Sequence, residues 1–169
     1  MNKLKTPKNI NATKTGKIGI FKTMIASGPV IIQKKEGKLQ TLLVKHGDKP
    51  LKKLKWKFCG GKLLKGWDLK ENAIREAKEE IGVKIKIIGD LPVMALWQEK
   101  PETGQKQPEL IILIHYLAAT KERPKQGKDI LAIQWFDINN LPKNCSPNIK
   151  PTIKAYQKIY AGGKPKRKS

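Results

Sequence analysis

The sequence is poor in cysteine and has no long apolar run. Cys59 and Cys145 are its only cysteines, and they lack the CxxC or Cys/His spacing of a zinc site or a disulfide framework. A reduced, cytoplasmic setting is therefore expected. The apolar segments fall short of the roughly 18 residues that a membrane-spanning helix needs, and the N-terminus lacks the apolar core of a secretion signal. The sequence thus predicts no membrane partner.

Acidic residues are also scarce: 14 Asp and Glu stand against 36 Lys and Arg, giving a formal net charge of +22. A field of this sign attracts polyanions such as nucleotides, nucleic acid or an anionic membrane surface. Lysine outnumbers arginine and is spread along the whole chain, so a compositional preference for lysine explains the excess equally well. Charge alone therefore does not identify a partner.

Histidine and aromatic residues are few. Neither His46 nor His115 has a partner at metal-ligand spacing, and we interpret the first as a surface residue and the second as a satisfied core histidine. Trp56, Trp97 and Trp135 are candidates for stacking on a nucleobase. Tryptophans near strands more often pack in the core or at its rim, and that interpretation is favoured here.

The 169 residues suffice for one domain with a hydrophobic core. Residues 1–17 are rich in Lys, Asn and Thr and predict a flexible basic arm, and residues 161–169 predict a disordered basic tail. The folded domain is expected over residues 18–160.

Alternating and β-branched segments predict a set of short strands. The first is interrupted by Ser27-Gly28-Pro29 and forms a hairpin with the next through a Glu36-Gly37 turn. An unbroken apolar segment at 110–117 predicts a strand buried on both faces or in the core of a sandwich. The predicted strands cover 18–25, 30–33, 39–44, 56–58, 83–88, 93–98, 110–117 and 130–137, and a closing helix covers 148–160.

One further helix has well-defined limits. Asp68 followed three residues later by Glu71 is a capping-box pattern, and Gly82 stands where a left-handed residue ends a helix. Between these limits an apolar stripe predicts packing on a core. The stripe consists of Leu69, Ala73, Ile74, Ala77 and Ile81.

Glu76, Glu79 and Glu80 flank this stripe at positions i, i+3 and i+4 and so share one helical face. Like charges at this spacing destabilise an isolated helix by roughly 0.2–0.5 kcal/mol per pair. Either the cluster is solvated and neutralised by Lys78 or Lys84, or it holds a divalent cation, which prefers carboxylate oxygens.

From Gly61 to Val83 the sequence resembles the Nudix box. That pattern is Gly, five residues, Glu, seven residues, Arg-Glu, a bulky aliphatic, any residue, Glu-Glu, any residue, Gly and an aliphatic. Two positions depart, since Trp67 stands where the family has its first glutamate and Ala77 is smaller than the usual aliphatic residue. The matching positions are Gly61, Arg75, Glu76, Glu79, Glu80, Gly82 and Val83.

The resemblance implies an α/β fold, a Nudix-type α/β/α sandwich with a mixed β-sheet. It also implies hydrolysis of a nucleoside diphosphate linked to another group, with Mg²⁺ or Mn²⁺ as cofactor. Glu76, Glu79 and Glu80 would be metal ligands, one of them a candidate base. The backbone carbonyl of Gly60 would be a further ligand, and Arg75 would orient the glutamates. A carboxylate from a later loop often completes such a site. The candidates are Glu99, Glu102 and Glu109. Glu109 is preferred because it begins a core strand.

In the family, the glutamate that Trp67 replaces pairs with the arginine. Glu71 lies four residues before Arg75 and is our preferred substitute partner, with Asp68 as the other candidate. Because neither departure removes a metal ligand, we predict a site that is reduced in activity or locally rearranged, and not an inactive one.

The default substrate is a (deoxy)nucleoside triphosphate, cleaved to the monophosphate and pyrophosphate. A dinucleoside polyphosphate or a nucleoside diphosphate sugar follows closely, and an RNA 5′ end would make better use of the positive charge. The alternative function is a Nudix-fold module that binds RNA or a nucleotide with weak catalysis. The oligomeric state stays open.

Overall fold

The structure is a computed structural model that describes residues 22–47, 49–98 and 108–162. The predicted arm at 1–17 lies outside these residues, as does the predicted tail from residue 163 onward. Within them the chain forms one mixed sheet and two α-helices. The strands are β1 Lys22–Lys35, β2 Lys38–His46, β3 Gly61–Lys62, β4 Lys86–Asp90, β5 Met94–Gln98, β6 Glu109–Ala119 and β7 Ile130–Asp137. The helices are α1 Leu69–Ile81 and α2 Ile149–Tyr156, with a 3₁₀ turn at Leu51–Lys53 and a π turn at Gln157–Ala161.

The sheet has the order β4-β6-β1-β2-β7, with β3 paired to β1 and β5 paired to β6. β1 and β6 are parallel, whereas the other pairs are antiparallel. β6 therefore has neighbours on both sides, and its side chains are buried or half-buried throughout, in agreement with its unbroken apolar sequence. The β1–β2 hairpin turns at Glu36-Gly37, both with positive φ, as predicted.

Adjacent residues of the central strands pack in two different cores, because successive side chains of a strand point to opposite faces of the sheet. Val30, Leu43 and Leu117 pack in the core that contains Ile149 and Ile153 of α2. Their neighbours Ile31, Leu42, Val44 and Ala118 pack in the core that contains Ala77 and Ile81 of α1. The two helices thus cover opposite faces, which is the α/β/α sandwich expected from the sequence.

The predicted interruption of the first strand at Ser27-Gly28-Pro29 is wrong, since β1 runs unbroken through all three residues. Gly28 serves a packing contact here and not a turn. A Cβ on residue 28 would lie 2.8 Å from the Cα of Gly60, so only glycine lets the segment before β3 approach β1 this closely.

The helix caps of α1 are confirmed. Asp68 Oδ1 accepts a hydrogen bond from Glu71 N at 2.8 Å, Asp68 N donates to Glu71 Oε2 at 3.2 Å, and Gly82 ends the helix at φ 65°. The predicted apolar stripe is only partly right, because Ile74 is 42% exposed. The face that contacts the sheet includes polar residues in place of Ile74. Its buried members are Asn72, Ala73, Glu76, Ala77, Glu80 and Ile81.

The remaining elements lie close to their predicted positions. β7 has the predicted bounds, and α2 with its π turn covers nearly the predicted helix. β4 begins at Lys86, three residues later than predicted. The predicted strand at 56–58 forms only the isolated bridges of Trp56 with Cys145 and of Lys57 with Val44. Neither helix of the described residues has the length and hydropathy to span a membrane.

Candidate active site

A cavity of about 1080 Å³ lies between the N-terminal half of β6, the start of β1 and the glutamate face of α1. Gly60 and Gly61 form part of the cavity wall where β3 begins, and apolar side chains of the sheet form the opposite wall. All three predicted glutamates, together with Arg75, Gly60 and Gly61, line this one cavity. The residues that the sequence predicted to act together therefore lie at one cavity.

Glu76 and Glu80 are buried carboxylates, each only 8% exposed. Glu80 Oε2 accepts a hydrogen bond from the Gly60 N–H at 2.9 Å, and Gly60 has a positive φ of 143° that favours glycine. Gly61 leaves room for Glu76, because a Cβ there would overlap its carboxylate in the present position. The two glycines thus let the backbone reach both carboxylates.

Burial is the main cause of the raised pKa of both glutamates. The positive charge of Arg75 opposes this shift of the pKa at Glu76, and the Gly60 N–H opposes it at Glu80. The thiol of Cys59, buried beside Glu80, has a pKa raised well above its usual range by burial and by the nearby carboxylates. Cys59 therefore stays protonated beside Glu80.

Arg75 connects the glutamates to the body of the protein. Its Nη1 donates to Glu79 Oε2 at 2.6 Å, and its Nη2 donates to Glu76 Oε1 and, at 2.9 Å, to Asn72 Oδ1. Asn72 is completely buried and donates in turn to Ser27 Oγ at 3.0 Å. The guanidinium is thereby fixed to β1 through one buried side chain.

Glu71 does not form the predicted ion pair with Arg75 within the described part of the chain. The capping box explains this, because Glu71 and Asp68 are bonded to each other at the helix start. The neighbour that Arg75 has instead is Trp67, whose ring centroid lies 5.7 Å from Arg75 Cζ. The prediction that Glu71 replaces the missing partner of Arg75 is therefore wrong.

Glu109 lies at the same cavity, is 8% exposed, and begins β6 opposite Lys22 of β1. The structure therefore places the preferred fourth carboxylate within the candidate site. The other two candidates, Glu99 and Glu102, lie outside the described residues.

His115 is buried as predicted and lies in the cavity wall. Burial lowers its pKa to about 4, so the imidazole is neutral at pH 7. Asn148 Nδ2 lies 3.4 Å from its Nε2, and Phe58 packs edge-to-face on the ring at 5.2 Å. Its Nδ1 has no hydrogen-bond partner among the described residues, so this core histidine is only half satisfied. His46, predicted as a surface residue, is exposed and reaches the cavity rim.

The tryptophans proposed to stack on a base do not line this cavity within the described ranges. Trp56 packs edge-to-face on Phe136 with their ring centroids 4.8 Å apart, and Trp135 packs against the core under α1. Trp97 lies on the opposite side of β5 from Leu96 and Gln98, which do line the cavity. The favoured interpretation as core or rim residues suits Trp56 and Trp135, whereas Trp97 is 56% exposed.

A family model for the NUDIX domain matches residues 24–156. The chain belongs to the Nudix family. Among curated proteins, Nudix hydrolase 6 of Arabidopsis thaliana is 30% identical over 83 residues. This match covers 49% of the present chain and 28% of the relative, so the chain spans well under a third of that protein's length.

Solved Nudix structures share this fold at low sequence identity. A C. elegans Ap4A hydrolase complex has a TM-score of 0.65 and 21% identity, covering 83% of this chain and 99% of that one. A NUDIX hydrolase from Nitrosomonas europaea has a TM-score of 0.66 and 17% identity, covering 81% and 90%. A MutT NUDIX hydrolase from Burkholderia pseudomallei has a TM-score of 0.61 and 18% identity, covering 79% and 98%.

The donors of this Nudix box fit a hard divalent cation, because they are carboxylate oxygens and a backbone carbonyl. Glu80 in particular accepts a hydrogen bond from the uncharged Gly60 N–H and forms no ion pair in the described part of the chain. As it stands, that part contains no group of three acidic, histidine or cysteine side chains close enough to hold an ion. Arg75 bonds one oxygen each of Glu76 and Glu79, which leaves the second oxygen of each carboxylate for a cation.

Two residues of the site escaped the sequence analysis. Asn72 holds Arg75, and Ser27 holds Asn72 and donates to Leu69 O at 2.8 Å. A signal for Asn72 existed, since it lies four residues before Glu76 and so shares its helical face. A signal for Ser27 did not, because its contact joins residues 45 positions apart.

Proposed function

We propose that this Nudix protein is a hydrolase dependent on Mg²⁺ or Mn²⁺ that cleaves a nucleoside diphosphate-linked substrate. The hydrolase class, acting on a phosphoric anhydride bond, follows from family membership. The observation that carries the rest is the pair of buried carboxylates, Glu76 and Glu80, beside Gly60 and Gly61 in a cavity of about 1080 Å³. Typical small-molecule sites have roughly 300–1,000 Å³, so a nucleotide fits. The default substrate is a (deoxy)nucleoside triphosphate, with the monophosphate and pyrophosphate as products.

Glu76, Glu79, Glu80 and the Gly60 carbonyl would hold the cation, with Glu109 as the candidate fourth carboxylate. When bound, the cation neutralises the phosphates, polarises a phosphoryl oxygen and lowers the pKa of a coordinated water. Glu76 and Glu80 are pre-oriented for this role by the glycine turn. Arg75 orients Glu76 and Glu79 by direct hydrogen bonds.

Lysines at the same cavity support a substrate with several phosphates. Lys22, Lys57, Lys62 and Lys128 line it together with the glutamates. Such side chains attract an anionic chain that extends beyond the cation. A dinucleoside polyphosphate, the substrate type that the name of the C. elegans neighbour indicates, and an RNA 5′ end are the next candidates.

The second candidate function is an RNA- or nucleotide-binding module with weak catalysis. The departure at Trp67 and the engagement of two glutamates by Arg75 favour it. We also propose a cytoplasmic location, which the two free cysteines support.

A panel of nucleotides assayed with millimolar Mg²⁺ or Mn²⁺, with products identified by ³¹P NMR, tests the enzyme proposal. We expect hydrolysis that chelation abolishes and that Glu80→Gln lowers by about 100-fold, within the range of lost acid–base or charge-stabilising groups. Glu36→Gln is the matched control, because Glu36 is an exposed carboxylate in the β1–β2 turn. Absence of product across the panel, combined with RNA binding that weakens steeply with salt, would favour the binding module.

A further inference from the structure

The guanidinium of Arg75 has more N–H donors than the surrounding residues supply acceptors. Its side chain is only 14% exposed, and its two terminal nitrogens bond Glu76, Glu79 and Asn72. Its Nε is buried and has no hydrogen-bond partner in the ranges that the structure describes. The edge of the guanidinium at Nε is therefore not held by a hydrogen bond, and any contact there must be of another kind.

Trp67 is the side chain in position to do so. Its ring centroid lies 5.7 Å from Arg75 Cζ, within the roughly 6 Å over which a cation is attracted to an indole face. The residue is anchored in the turn before α1, where Trp67 N donates to Leu64 O at 3.2 Å and the next residue, Asp68, is the N-cap.

The chemistry of an indole differs from that of a carboxylate at this point. A carboxylate would accept the Nε hydrogen bond and compete with Glu76 and Glu79 for the guanidinium. An aromatic ring attracts the same cation without accepting a directed bond from it. With Trp67 at this position, the directed bonds of Arg75 all go to Asn72 and to the two glutamates.

We propose that Trp67 is a positioning residue: its ring holds Arg75 in the orientation that aligns Glu76 and Glu79. Trp67 does not line the cavity and acts only through Arg75. The inference rests on the proposed function, in which the aligned glutamates are the working groups. Burial of the indole is a weak alternative reason for its presence, because Trp67 remains 43% exposed.

Three variants separate the effect of the aromatic ring from the effect of side-chain volume. Trp67→Phe keeps an aromatic face, Trp67→Leu keeps only apolar volume, and Ile74→Ala is the control. Ile74 is also an exposed apolar residue, 42% exposed and next to Arg75 in sequence, and it does not line the cavity. The first measurement is the NMR shift of the Arg75 Nε–H group in the metal-free protein, which reports the ring directly and needs no substrate. The second is kcat and KM, determined separately on the best substrate of the panel.

In Trp67→Leu we expect the ring-current shift of Arg75 to disappear and kcat to fall by about threefold to tenfold, as loss of one partly exposed cation–π contact implies. KM should change by less than about twofold, because the ring does not touch substrate. Trp67→Phe should retain most of both signals, and Ile74→Ala should match the wild type.

An unchanged Arg75 resonance and kcat in Trp67→Leu would overturn the inference, as would equal losses in the Phe and Leu variants. Failure of the proposed function gives a different result. In that case the wild-type protein has no activity on the panel, while the NMR comparison still decides whether Trp67 holds Arg75.

Discussion

The Gly60 N–H donates to Glu80 Oε2 over 2.9 Å, which joins the turn before β3 to a buried carboxylate of α1. The bond compensates only part of the cost of burying that charge, since the pKa of Glu80 is still raised by desolvation. The turn and the helix therefore place a carboxylate where its ionised form is unfavourable in the absence of a cation. The buried carboxylate therefore lowers the stability of the metal-free protein and forms a site that attracts positive charge.

Glu80→Gln should make the metal-free protein less sensitive to pH. Because the pKa of Glu80 in the folded state lies above its ordinary value of 4.5, the folded chain binds this proton more tightly than the unfolded chain. Its stabilising contribution is therefore complete below pH 4.5 and is lost as pH rises through the raised pKa. Urea unfolding between pH 4 and pH 8 with a chelator present should show the variant gaining stability relative to wild type as pH rises. Glu36→Gln should follow wild type, and a parallel course for Glu80→Gln would contradict the assignment.

Gly61→Ala should impair the site more than the fold. The added Cβ would overlap the carboxylate of Glu76, which must then move from the cavity wall. We expect kcat to fall by about tenfold or more, since displacement of a catalytic group by 1 Å can cost about a hundredfold. Gly37→Ala is the control for a glycine substitution, because residue 37 has a positive φ of 77° and open space around it. The control should lose stability by about 1 kcal/mol and keep its activity. Equal activity of both variants would show that Glu76 tolerates the shift.

Local features of the fold were predictable from sequence, and long-range ones were not. The capping box of Asp68 and Glu71 involves residues three apart, so its pattern is complete in the sequence. The same local bonds explain why Glu71 is not available to Arg75, an outcome that ion-pair spacing alone cannot reveal. The continuity of β1 through Gly28 is seen only in its pairing with β6, and the close approach of Gly60 to Gly28 joins residues 32 positions apart, so both are properties of the assembled sheet.

The sequence predicted which residues form the candidate site, but not which of them are buried. The spacing of Glu76, Glu79 and Glu80 places them on one face of α1, but it does not say which of them faces the sheet. The structure separates them: Glu76 and Glu80 are buried, whereas the side chain of Glu79 is 57% exposed. The orientation of α1 on the sheet decides this, and the small residue Ala77 at the contact allows the close approach.

Asn72→Ala should affect stability and activity together. The substitution removes a fully buried side chain that joins Ser27 to Arg75 and also donates to Gly61 O at 3.2 Å. We expect a loss of about 2 kcal/mol in the free energy of unfolding, because buried partners are left unsatisfied. Activity should fall by about tenfold as Arg75 loses one of its anchors. Chemical denaturation and steady-state kinetics measure the two effects. Asn140→Ala is the control, since Asn140 is exposed beyond the end of β7, and a similar loss there would show that the network is not the cause.

His115→Gln should alter the pH dependence of stability in the sense opposite to Glu80→Gln. Burial lowers the pKa of His115 from 6.5 to about 4, so the unfolded chain binds this proton more tightly than the folded one. The contribution of His115 to stability should therefore be fully present above pH 6.5 and decline as pH falls towards 4. A shift of this size corresponds to about 3 kcal/mol, which His115→Gln should remove from the pH dependence.

The measurement is the difference in unfolding free energy between wild type and variant from pH 4 to pH 7.5, which cancels the contributions of the glutamates. His46→Gln is the comparison variant, because His46 is the exposed histidine at the cavity rim. If His46→Gln and His115→Gln change the curve equally, then burial is not what sets the pKa of His115. If only His115→Gln flattens it, the cavity wall contains an imidazole that stays neutral at pH 7, beside Asn148 and within the space proposed for the nucleotide.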